Sequence, residues 1–309
     1  MATLDKRYND YSSYLKGVFP DFKVQKISIN AGFTCPNRDG SISHGGCTFC
    51  NNQTFNPEYC QPDKSIRQQL DEGVEFFKKY EGQKYLAYFQ AYSNTYAPNA
   101  ILKQRYEEAL SHPDVVGIVI GTRPDCVNEE LLDYLGHLAQ ERYVMVEYGV
   151  ESTIDRTLQA INRGHLFEAS QKAIRQTAER KIHTCAHLIL GLPGESREEI
   201  LSHAERISEL PLTSIKLHQL QLIRGTKMAT EYAERPEWFK FYTADEYIDL
   251  AIDFIERVNP TFVIERFVSQ SPSEFRILPN WGLKNYEFTA KLEKRLRERD
   301  SRQGLKWKK

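Results

Sequence analysis

Six strand-like runs alternating with helix-patterned segments restrict the fold of this chain more than any other feature. The runs are VQKISIN (24–30), YLAYFQAY (85–92), VVGIVIG (115–121), YVMVEYGV (143–150), HTCAHLILGL (183–192) and SIKLHQLQL (214–222). Between the first four, residues 64–80 carry Ile66, Leu70, Val74 and Phe77 at helical spacing. Residues 99–110 set Leu102, Tyr106 and Leu110 on one side, and 128–140 group Leu131, Leu135 and Leu138. Helices over 168–180 and 196–209 complete the pattern, the latter with Ser196 and Glu199 as a capping box. A continuous apolar run such as VVGIVIG suits a parallel strand covered by helices. The alternation therefore predicts an α/β fold: a barrel, a partial barrel or a doubly wound sheet. In all three, ligands bind where the strands end. Beyond residue 223 the pattern changes to a helix over 243–258, a strand TFVIERFV (261–268) and a charged helix over 284–299.

The loop after the first run, CPNRDGSISHGGCTFCNN, holds Cys35, Cys47 and Cys50. Three thiolates near one strand end can converge on one metal centre. A zinc site would need a fourth ligand, with His44 at hand. Zinc sites built from close cysteine pairs usually show two pairs, however, and Cys47–Cys50 is the one pair here. Three thiolates on an iron–sulfur cluster would instead leave one iron open to a ligand that is not protein. A disulfide is disfavoured. The N-terminus MATLDKRYNDYSSYLKG is polar, without an apolar signal core, which reads as a cytoplasmic protein with reduced thiols. Cys60, Cys126 and Cys185 are scattered and read as packing residues.

Polar residues cluster at the other strand ends. FQAYSNTYAP (89–98) offers Gln90, Ser93, Asn94 and Thr95, hydrogen-bonding groups suited to a small zwitterion or simply to a turn. GTRPD (121–125) offers Arg123, for a ligand carboxylate or a salt bridge. In EYGVES (147–152), Glu147 shares a face with Gly149 and Glu151. Val144, Val146 and Val150 take the opposite, helix-facing side, so Glu147 points inward and needs a ligand or an internal ion partner. NRGH (162–165) adds Arg163 and His165. In LILGLPGES, Gly191 and Gly194 permit close backbone approach and Pro193 stiffens the turn, a shelf for a flat ring rather than a phosphate cradle. Lys216 and His218 share one face of the sixth strand, but alternation does not say which face looks inward.

Composition is that of a water-exposed globular chain, 40% hydrophobic and 27% charged over 309 residues, with no run of about 20 apolar residues to span a membrane. Net charge is −1, yet residues 291–309 carry nine Lys or Arg against three acids. Such a tail can seek phosphate backbones or simply end a solvated helix.

Together, CPNRDGSISHGGCTFC, YFQAYSNTY, GTRPD, EYGVES, NRGH and LILGLPGES resemble the radical S-adenosylmethionine superfamily, in its YtqA/YhcC-type bacterial subgroup. The subgroup is akin to the elongator catalytic subunit and the oxygen-independent coproporphyrinogen oxidases. Eleven residues separate Cys35 from Cys47, longer than the common CxxxCxxC gap and in keeping with that subgroup. The resemblance implies a partial (β/α)6 barrel over residues 24–242, an N-terminal segment 1–23 and an α+β C-terminal extension 243–309. It implies a [4Fe–4S] cluster on Cys35, Cys47 and Cys50, with S-adenosylmethionine chelating the open iron. Reductive cleavage would give methionine and a 5′-deoxyadenosyl radical. Gln90, Ser93 and Asn94 would meet the methionine moiety, Glu151 and Arg163 a ribose or carboxylate, and Gly191 and Pro193 the adenine. An electron donor such as flavodoxin or ferredoxin is implied. So is a tRNA substrate whose wobble-uridine carboxymethylaminomethyl group becomes aminomethyl, with Trp307 in the basic tail free to stack. Two alternatives are a radical enzyme acting on a porphyrin-like or other small substrate, and a zinc-stabilised RNA-binding protein without catalysis.

Overall fold

The computed structural model describes residues 6–51 and 56–308. Its elements are α1 (Tyr11–Val18), β1 (Val24–Ile29), α2 (Ile66–Phe77), β2 (Lys84–Phe89), α3 (Asn99–Leu110), β3 (Val115–Thr122), α4 (Glu129–Leu138), β4 (Tyr143–Glu151), α5 (Asp155–Ala160), α6 (Phe167–Glu179), β5 (His183–Leu190), α7 (Arg197–Ser208), β6 (Ser214–Gln219), β7 (Leu222–Ile223), α8 (Lys227–Glu234), α9 (Ala244–Ile255), β8 (Val263–Arg266), β9 (Arg276–Leu278) and α10 (Asn285–Glu298). One parallel sheet runs β1-β2-β3-β4-β5-β6-β8. Each of the six expected strands is present. The seventh, β8, comes from the region read as a separate extension, and it pairs parallel with β6. The sheet is a curled partial barrel one strand wider than the six-strand expectation.

Strand β4 shows how the inner face is layered. Val144, Val146, Tyr148 and Val150 point out into the main core under the helices. Tyr143 and Met145 point in, to a small apolar cluster with Leu86, Val119 and Cys185, packed by Tyr14, Leu15 and Phe19. The last three belong to α1 and its C-terminal end, a helix within the N-terminal segment for which the sequence pattern predicts no element. Asp10 caps α1 by accepting from the Ser13 backbone N–H at 3.1 Å. Above this plug Glu147 sits in a charged layer, and above that Gly149 and Glu151 line an open cavity.

The C-terminal end is built into the body rather than left free. Leu292 and Leu296 of α10 are buried. Gln303 donates from its backbone to Arg7 O at 2.9 Å, and Gly304 to Ile255 O at 2.9 Å. Arg295 pairs with Asp249 at 2.8 Å and Arg299 with Asp253 at 2.5 Å. Lys306 pairs with Glu256. Of the two readings of this run, the helix end is what the packing shows, and three of its nine basic residues face Asp249, Asp253 and Glu256 on α9 and at its C-terminal end. Trp307 is half-buried.

Candidate functional site

Cys35, Cys47 and Cys50 line one cavity of about 250 Å³ at the C-terminal strand ends, together with Gln90, Ser93, Gly149, Glu151 and Arg163. The loop that carries them is braced from across the sheet by the segment after α5. Asn162, at φ +52°, donates through its side chain to Ser43 Oγ at 3.0 Å and Gly46 O at 2.9 Å. Its own carbonyl accepts from Asn37 Nδ2 at 2.5 Å, and Thr48 donates to Ile161 O at 3.0 Å. Arg163 then donates to Cys47 Sγ at 3.4 Å, and Asn37 to the same sulfur at 3.5 Å. The two donors fix the position of this sulfur on the cavity wall. Burial, then the neighbouring Cys47, push the Cys50 thiol up to about 12, while Arg38 and Arg163 pull the other way. A thiol so placed becomes a ligand when a metal displaces its proton.

The donor set fits a cluster. Three thiols face one cavity, with charge-assisted donors on one of them and room left beside them. It does not fit the zinc alternative. The exposed His44 ring lies against Gly40 at the loop tip, where a Cβ on Gly40 would stand 2.5 Å from it, and it takes no part in the cavity wall.

Glu151 occupies the left-handed region at φ +66°, after a shift of register between Gly149 and Glu151. The kink brings its carboxylate to 3.8 Å from Arg163. Burial raises its pKa, with Arg163 and Arg123 opposing. A Cβ on Gly149 would lie 2.5 Å from Glu151 Oε1 and 2.8 Å from Arg163 Nη2, so only glycine leaves space for the pair. Arg163 also donates to Gly149 O, which makes it a brace of both loops.

Other expected contacts fall elsewhere. Asn94 is fully buried and off the cavity wall; its amide donates to Gly121 O at 2.8 Å and ties the β2 turn to β3. Gly191 and Pro193 do not line the cavity. Gly191 packs on Tyr242, and Gly194 donates to Trp238 O at 3.3 Å, so the segment before α9 covers the glycine shelf. Ile189, two residues earlier, lines the cavity instead. Arg123 forms a bidentate pair with Asp125 and donates to Arg163 O at 2.8 Å. His165 is half-buried and bonds the Leu166 carbonyl. Cys185 lies in the lower apolar cluster.

Under the cavity runs a buried ionic layer that the sequence showed only in part. Glu147 accepts from Lys26 at 2.8 Å, Lys216 at 2.5 Å and His187 at 2.9 Å. Glu265 accepts from Lys26 at 2.7 Å and Lys216 at 2.9 Å. Burial opposes ionisation of Glu147, but Lys216 and Lys26 hold its pKa well below the usual carboxylate range. Glu147 is thus half of an internal ion pair, one of the two roles open to it. Glu147, Cys185 and His187 present ligand atoms within 4.8 Å of one another, yet the two lysines already occupy that carboxylate. Sequence periodicity missed Arg266. A register shift between Ile215 and Lys216 lets the neighbours Glu265 and Arg266 both turn inward, which alternation forbids.

Residues 33–207 match the family model of the Radical SAM superfamily, and residues 212–298 that of the Radical_SAM C-terminal domain. The chain belongs to the radical SAM superfamily. Among its relatives, YtqA of Bacillus subtilis is 36% identical over 305 residues, covering 98% of this chain and 94% of that protein. YhcC of Escherichia coli is 36% identical over 278 residues, 89% of this chain and 88% of that one. Among solved structures, an N-terminally truncated Elp3 of Methanocaldococcus infernus superposes with a TM-score of 0.66 at 17% identity, over 91% of this chain and 64% of that one. SuiB of Streptococcus suis bound to S-adenosylmethionine gives 0.52 at 12% identity, over 84% and 54%. These likenesses show a shared fold. As a radical SAM enzyme the chain uses a [4Fe–4S] cluster and S-adenosylmethionine, which sets aside the non-catalytic zinc reading. No helix among the described residues is long and apolar enough to cross a membrane.

Proposed function

We propose that this radical SAM enzyme modifies the wobble uridine of tRNA, converting a carboxymethylaminomethyl side chain to an aminomethyl one. The observation that carries the site assignment is the single cavity shared by Cys35, Cys47 and Cys50 with Gln90, Ser93, Glu151 and Arg163. In this reading Cys35, Cys47 and Cys50 would hold a [4Fe–4S] cluster, which when bound would supply the electron for reductive cleavage of S-adenosylmethionine. Arg163 and Asn37 keep the Cys47 sulfur in place. Gln90 and Ser93 orient the methionine end, and Glu151, fixed by its kink and by Arg163, takes the ribose. An electron donor such as flavodoxin or ferredoxin serves from outside, and the protein works in the cytoplasm.

Support for tRNA comes from partial similarity to a tRNA uridine(34) acetyltransferase of Methanocaldococcus infernus, 29% identical over 167 residues, 52% of this chain and 29% of that protein. A porphyrin-like substrate is the second reading, favoured by 28% identity over 160 residues to HemZ of Bacillus subtilis, an oxygen-independent coproporphyrinogen-III oxidase-like protein.

The test incubates anaerobically reconstituted protein with bulk tRNA, dithionite and S-adenosylmethionine, followed by nucleoside mass spectrometry. Loss of the carboxymethyl mass from wobble uridine is expected, and unchanged nucleosides would sink the tRNA reading. Any one of Cys35→Ala, Cys47→Ala or Cys50→Ala should bring iron far below the roughly four per chain of an intact cluster. Full iron in any variant would remove that cysteine from the ligand set.

A further inference from the structure

Arg266 is a cation without a counter-ion. It lines the same cavity as the cysteine loop. Its partner is His218, with Nη2 at 3.0 Å from Nε2 and 3.5 Å from Nδ1. Among the described residues no carboxylate lies within 4 Å of it, and its Nε is buried without a partner. The groups facing it from the packed strands explain the imbalance. Lys26 and Lys216 are matched by Glu147 and Glu265. His187 lies beside His218, rings 5.3 Å apart. Burial holds both histidines neutral at pH 7, aided by Arg266 at His218 and by Lys216 at His187. The layer therefore holds three cations and two carboxylates, with one positive charge left facing open space. Arg266 is half-buried, and a charge partly withdrawn from water without a counter-ion is costly unless a ligand completes it.

We propose that Arg266 and His218 form a carboxylate-binding subsite for the substrate, in the cavity that also holds the cysteines. One unmatched charge suits a monoanion better than a phosphate dianion. The carboxylate would accept from guanidinium N–H groups of Arg266 on the cavity wall, with His218 as a neutral neighbour. Ser271 and Gln221, joined at 2.6 Å, border the same space. The inference rests on the tRNA reading and deepens it. The carboxymethylaminomethyl group ends in a carboxylate and the aminomethyl product does not, so this subsite distinguishes substrate from product.

The test uses the full chain with its cluster reconstituted and S-adenosylmethionine present. Equilibrium binding compares tRNA bearing the carboxymethylaminomethyl group with the same tRNA bearing the aminomethyl group. The intact protein should prefer the former by about tenfold or more. Arg266→Gln should shrink that preference to within about twofold, and Arg266→Lys should restore part of it. Equal binding by the intact protein, or a preference that survives Arg266→Gln, overturns the subsite. A small probe separates this outcome from failure of the tRNA reading. If no tRNA binds but N-methylglycine, and not methylamine, raises the melting temperature in an Arg266-dependent way, the subsite stands and the tRNA reading falls. If no tRNA is discriminated and N-methylglycine stabilises neither protein, the subsite is overturned.

Discussion

Two positively charged regions of this molecule behave in opposite ways. Residues 291–309 form the densest cationic run, yet Arg295, Arg299 and Lys306 face Asp249, Asp253 and Glu256. Arg266 is a single arginine on β8, and it faces a neutral histidine and a cavity. Charge density along a chain is thus a poor guide to where charge is available. What counts is what the fold brings opposite it. Asp249, Asp253 and Glu256 turn three of the nine cations of the run into a clamp, while the inward-facing kink of β8 leaves Arg266 unmatched.

The largest effect that could break this contrast is deletion of residues 291–309. It removes Leu292 and Leu296, buried side chains whose truncation to alanine costs about 2–5 kcal/mol each. The backbone bonds to Arg7 and Ile255 go with them. The shortened protein should lose its cooperative thermal transition. If instead it melts like the full chain and only its tRNA affinity falls, the run is a binding arm after all.

Glu147→Ala comes next and sharpens the contrast from the other side. It leaves Lys26 and Lys216 to share Glu265 alone, one buried positive charge in excess, so a loss of about 3–5 kcal/mol in urea unfolding is expected. Acidification should act in the same direction. Burial, then Lys216, lower the His187 pKa from 6.5 to about 4. Between those values the unfolded chain binds the extra proton, so stability falls as the pH drops from 6.5 towards 4. Glu147, held below the usual carboxylate range, adds its own loss at still lower pH. A flat stability profile across that window would show that the ionic layer does not hold the barrel together.

Most of this architecture was legible from periodicity, because a parallel strand between helices leaves little choice of pattern. The cysteine loop was legible from spacing, and Glu147 from its place opposite three valines on β4. Arg266 was not, because the shift of register at Lys216 puts two consecutive side chains on one face. Gly191 and Pro193 lie off the cavity wall for a different reason. A glycine turn at a strand end opens space, but only tertiary packing says whether a ligand or, as here, Tyr242 fills it. Asn94 offered hydrogen-bonding groups suited to a ligand, and the carbonyl of Gly121 took its amide.

The smallest effect tests the clamp charge by charge. Arg295 meets Asp249 at 2.8 Å, but both groups are about a third exposed, with side-chain accessibilities of 30% and 39%. Water and salt screen such a pair, so Arg295→Ala should cost about 0.2–1 kcal/mol, and less at high ionic strength. Affinity for tRNA should stay within about twofold, because the guanidinium already has its anion. A larger fall in affinity, steepening at low salt, would mean that RNA phosphates outcompete Asp249 for this side chain. The clamp would then be a surface that opens on contact, and the contrast with Arg266 would be one of degree.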